Sequence, residues 1–129
     1  MGESEMIIEI NSIPWTVEFV DEEDEDLGTQ YVGRTLQWKQ RIVVQKKMSY
    51  QMIREVLIHE LTHATLACQG RYFQNKFSVE DVCEFVGFNA DMIIELAEKI
   101  MEDYRNGCLK NNSDNIFRNI LSNRNSDEH

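Results

Sequence analysis

The chain has 129 residues, enough for one compact domain with its own core and too few to suggest two. Its 42% hydrophobic and 28% charged content is ordinary for a soluble globular protein, and a net charge of −10 disfavours DNA or RNA as a direct partner. No apolar run approaches a membrane span and the first five residues are acidic where a secretory signal is basic, while Cys68, Cys83 and Cys108 form no C-x-x-C pair. These features lead us to expect a cytoplasmic protein with reduced thiols.

Met6 to Ile10 is a short apolar run, followed by an Asn11-Ser12 turn signal and the alternating segment Trp15-Thr-Val-Glu-Phe19, which together predict a hairpin. Pro14 stands at the mouth of the second strand, where its missing N–H costs least. The six consecutive acids Asp21 to Asp26 predict a solvated, mobile loop. Residues 1–33 hold ten acids and no Lys or Arg, and residues 27–54 hold six bases and no acid, so the two blocks should neutralise each other across the sheet. Tyr31 to Thr35 and Arg41 to Val44 read as a second strand pair, giving a sheet of three to four strands.

Ser49 is a fair N-cap and Gly70 a fair stop for a helix of about twenty residues, and Ser78 caps a second helical stretch, one long helix or two in line, that should reach about Arg105 and end at Gly107. One domain over residues 1–107 is therefore expected, with residues 108–129 a polar tail, frayed or bearing one short helix.

The first helix carries His59-Glu60-Leu61-Thr62-His63, an H-E-x-x-H motif. Imidazoles four positions apart share one helix face with Cβ atoms about 5–6 Å apart, within reach of one zinc ion. Glu60, beside the first His, is placed to take a proton from water that zinc has acidified, which implies hydrolysis of an amide bond. The many apolar residues around the motif predict a helix buried almost all round, in which two histidines and a glutamate would be costly without a metal.

A catalytic zinc site needs a third protein ligand. Leu66 and Gln69 stand where an extended H-E-x-x-H-x-x-G-x-x-H site needs Gly and His, so a carboxylate from the next helix is expected, with Glu80, Asp81 and Glu84 as candidates. A close helix approach favours small residues at i+3 and i+7, and from Glu80 these are Cys83 and Gly87. Glu80 is thus the preferred ligand and Glu84 the group that orients a ligating imidazole, with the reverse assignment as the alternative. Tyr72 and Arg71, between the helices, are the candidates for stabilising an oxyanion.

H-E-L-T-H followed by E-D-V-C-E resembles the gluzincin arrangement. More narrowly, I-H-E-L-T-H-A and V-E-D-V-C-E-F-V-G resemble the small metallopeptidases of phages and mobile elements related to the ImmA/IrrE-like group, over residues 6 to 103. The resemblance implies an α+β, zincin-like minimal domain, with a small, mostly antiparallel N-terminal sheet packed on the H-E-x-x-H helix and a following Glu-bearing helix. It implies zinc held by His59, His63 and Glu80, Glu60 as general base, a protein or peptide substrate, and the Arg41 to Val44 strand as the edge along which that substrate lies. Cys83 and Glu84 stand where larger members usually show Ala and Asn, and no DNA-binding part is present. The alternatives are a regulatory protein that keeps the zinc fold but works by binding a partner, and a metal-free helical domain.

Overall fold

The computed structural model describes residues 5–70 and 76–112. In chain order these form β1 (Glu5–Ile10), β2 (Ile13–Val20), β3 (Gly33–Leu36), a 3-10 turn (Gln37–Lys39), β4 (Arg41–Gln45), α1 (Tyr50–Cys68) and α2 (Val79–Asn112). The sheet order is β1-β2-β4-β3, with β1–β2 and β3–β4 antiparallel and β2–β4 parallel. The architecture is α+β with a mixed sheet, in which the antiparallel pairings predominate.

Local chemistry accounts for most of the element ends. Asn11 and Ser12 both take positive φ, 52° and 69°, as a two-residue hairpin turn whose twist matches its strands requires. Pro14 pairs with Glu9 of β1 and lies before Thr16, where pairing with β4 begins, so its lack of an N–H breaks no ladder bond on that side. The Ser49 side chain accepts from the Met52 amide at the start of α1, and Gly70 at φ 74° follows its end. Ser78 and Asp81 cap α2 reciprocally, each side chain accepting from the other's backbone N–H at 3.0 Å.

One sheet face, carrying Ile8, Ile10, Trp15, Val17, Phe19, Ile42 and Val44, packs on Val56, Leu57 and Leu61 of α1 and on Ile93, Ala97 and Ile100 of α2. Each buried Val, Leu, Ile or Phe among them contributes about 1.5–3 kcal/mol by leaving water. Phe19 also stacks on Tyr104, with ring centroids 3.9 Å apart.

The acidic segment is tied down where a free loop was expected. Leu27 is fully buried with Val20 and Val43 on the other sheet face, and Asp24 Oδ1 accepts from the Asp26 and Leu27 amides. Asp26 bonds Lys39 Nζ at 2.8 Å and lies 2.9 Å from Arg41 Nε, while Arg41 Nη2 meets Glu18 at 2.7 Å. The acidic and basic blocks thus do neutralise each other. Lys39's hydrogen bond, with the Lys39 and Arg41 charges, holds the Asp26 carboxyl below its ordinary value of 3.8 against the opposing effect of burial. The stability this adds is complete above pH 3.8 and lost as pH falls through the lower folded value. Asp26→Asn should therefore unfold at lower urea than the wild type at pH 7, and the gap should close in stronger acid. A gap independent of pH would show that the ionised carboxylate is not what stabilises.

α2 departs from expectation at its far end. It spans 34 residues, about 50 Å at helical rise, and continues through Gly107 to Asn112. A helical glycine costs about 1 kcal/mol against Ala, too little to stop a helix of that length.

Candidate metal centre

α1 presents to solvent a stripe made of Met52, Glu55, His59 and His63, spaced three to four residues apart, while Val56, Leu57, Glu60, Leu61 and Ala64 face inward. The expectation of a helix buried almost all round needs correction here. The two imidazoles are exposed, and the burial argument applies to Glu60 alone, which is 6% accessible.

The His59 and His63 ring centroids lie 4.9 Å apart with their planes 68° apart. With Zn–N bonds of about 2.0–2.1 Å and tetrahedral angles, two ligating imidazoles have centroids roughly 5 Å apart, so the pair is spaced to share one ion. Both line a groove of about 580 Å³ between α1 and β3, whose other walls include Tyr31, Val32, Arg34, Met52 and Glu55.

Glu60 leaves the same helix toward β3. Its Oε1 accepts from Thr35 Oγ1 at 2.7 Å, and the same hydroxyl lies 3.1 Å from the Glu60 carbonyl oxygen. Gly33, two residues earlier on the same face of β3, lets the strand approach the helix closely. A Cβ built there would fall 2.4 Å from Val56 Cγ1 and 3.3 Å from Glu60 Oε2. Neither Thr35 nor Gly33 was singled out by the sequence reading. The available signal was a glycine inside a strand pattern, which marks close backbone approach.

His59, Glu60 and His63 thus come together, and the expected third ligand does not join them. Glu80 and Glu84 are exposed on the first turns of α2, around a separate shallow concavity with Cys83, Gly87 and Phe88. The reason lies in how α2 docks. Gln69 Nε2 bonds Asn89 Oδ1 at 3.0 Å and Arg54 meets Glu98 at 3.3 Å, so the helices run in opposite senses. Glu80, nine residues before Asn89, therefore projects about 13 Å beyond that contact, while His63 lies about 9 Å back along α1. A Cβ at Gly87 would meet nothing within 4 Å, so the tight helix approach that favoured Glu80 over Glu84 is not realised. Among the described residues no set of three His, Cys, Asp or Glu side chains is arranged to hold a metal ion. Tyr72 and Arg71 lie outside the described residues.

The edge strand also differs from expectation. Arg41–Gln45 is paired on both sides, with β2 and β3, because the parallel β2–β4 contact places it inside the sheet. β3, which flanks the groove, is the terminal strand there. Compared with protein-family models, with curated proteins and with solved structures, the chain has no significant match.

Proposed function

We propose that the protein is a cytoplasmic, zinc-dependent metallopeptidase that hydrolyses peptide bonds of a protein substrate, with Glu60 as general base. The observation that carries this reading is a pair of imidazoles 4.9 Å apart at the wall of a groove, next to a buried carboxylate held by a hydrogen bond. His59 and His63 would hold the ion. Zinc, when bound, supplies Lewis acidity that lowers the pKa of water to about 7. Glu60 would take a proton from the attacking water and pass it to the leaving amine. The outer edge of β3 aligns an extended peptide through main-chain hydrogen bonds, the part first assigned to Arg41–Val44. No helix among the described residues is long and apolar enough to cross a membrane.

Glu80 as third ligand, with Glu84 as its alternative, requires the first turns of α2 to shift by about 20 Å along α1 relative to the register seen here. The test is zinc per chain by elemental analysis, for the wild type beside His63→Ala, Glu80→Ala and Glu84→Ala. About one zinc in the wild type, lost with His63 and with Glu80 and reduced less with Glu84, is the expected result. No zinc in the wild type after supplementation would overturn the metallopeptidase reading.

One observation favours a second reading, a phage-type regulatory protein that keeps the zinc fold and acts by binding. Val79, Val82 and Val86, which share one face of α2, are 80, 50 and 53% exposed, an apolar stripe the hydrolytic reading does not use. Full cellular function in a variant lacking Glu60 would support it.

A further inference from the structure

We infer that Thr35 is a positioning residue for Glu60, fixing which carboxylate oxygen accepts the proton; this rests on the reading of Glu60 as a base. A glutamate has three side-chain torsions to order, and at a groove wall it needs something to select one arrangement. The structure supplies two constraints from one strand. The Thr35 hydroxyl has a single proton and two acceptors within reach, Oε1 at 2.7 Å and the Glu60 carbonyl oxygen at 3.1 Å. The carboxylate oxygen is nearer and carries charge, so it takes the proton. On the other side, Gly33 leaves open the space a side chain would take, 3.2 Å from Glu60 Cγ and 3.3 Å from Oε2. Oε1 is the anchored oxygen and Oε2 the one left to accept a proton.

Thr35 lies on β3, the strand whose outer edge an extended substrate would join. The anchor of the base and the template for the substrate are then one piece of backbone, and a shift of β3 carries both together. Orientation of this kind acts on the chemical step more than on binding, because a misplaced base still leaves the main-chain contacts in place.

The experiment compares Thr35→Val, Thr35→Ala and Thr35→Ser with the wild type, so that a packing fault in one variant does not decide the outcome. On fluorescein-labelled casein, Thr35→Val and Thr35→Ala should lose about 10- to 100-fold in kcat with KM changed less than about 3-fold, and Thr35→Ser should recover most of the loss. A second readout needs neither zinc nor turnover. In the metal-free protein, NMR side-chain couplings of Glu60 should report one rotamer in the wild type and Thr35→Ser, and averaging in Thr35→Val and Thr35→Ala. A single rotamer in all four proteins, or unchanged kcat without the hydroxyl, would overturn the assignment. A wild type inactive on casein would count against the hydrolytic reading alone, because the couplings still decide whether Thr35 orients Glu60.

Discussion

Glu60→Gln should lower hydrolysis by about 100- to 10,000-fold, the usual contribution of a positioned general base, while leaving bound zinc near the wild-type level. The substitution keeps the side chain's shape, and the amide oxygen still accepts from Thr35 at the position Oε1 now holds, 2.7 Å from the hydroxyl. What changes is basicity: an amide cannot take a proton from water near neutral pH. Activity and metal content measured on the same preparation separate the two effects. If Glu60→Gln hydrolyses at the wild-type rate, Glu60 is not the base. If zinc is lost as well, the variant has damaged the site and the kinetic result says nothing of proton transfer.

Gly33→Ala carries the second large effect, and it falls on the fold. A Cβ at position 33 would lie 2.4 Å from Val56 Cγ1, a separation real Cβ atoms do not show, and Val56 is itself buried in the core. Either β3 moves away from α1 or Val56 is pushed off its rotamer. Overpacking of this kind costs about 1–3 kcal/mol, which corresponds to a fall in Tm of roughly 4–12 °C. Adding Val56→Ala removes the worst contact, so the double variant should be more stable than the two separate losses would give when added. Gly33→Ala melting at the wild-type temperature would mean that strand and helix are not in close contact. The same substitution should slow hydrolysis at temperatures where the protein stays folded, because the 3.2 Å contact with Glu60 Cγ survives the relief of Val56.

What could be read from the sequence was whatever depends on neighbours along the chain. The i, i+4 spacing of His59 and His63 put both rings on one helix face, and Ser49 and Ser78 began helices because a hydroxyl satisfies amides two or three residues on. The hairpin at Asn11-Ser12 belongs to the same class. Features that depend on long-range partners were not legible. Arg41–Gln45 has the pattern of either an edge or an inner strand, and its parallel pairing with β2 rests on contacts across the whole acidic loop. Whether His59 and His63 face core or solvent depends on which side of α1 the sheet and α2 cover, and apolar residues surround the motif on all sides in the sequence. The placement of Glu80 likewise turns on where α2 crosses α1, fixed by Asn89 and Glu98 rather than by the small residues near Glu80. Thr35 and Gly33 gained their meaning only once β3 lay against Glu60.

The burial of Trp15 gives the molecule a built-in optical reporter. Of its two tryptophans, Trp15 is 2% exposed and donates its indole N–H to Cys68 Sγ at 3.2 Å, whereas Trp38 is 70% exposed on the turn between β3 and β4. Sulfur close to an indole quenches its emission, so the native protein should fluoresce chiefly from Trp38, in the red-shifted range of a hydrated ring. Undocking the end of α1 would separate Trp15 from the thiol and brighten it. A Trp38→Phe variant isolates that signal, and alkylation of Cys68 would switch it on without denaturant.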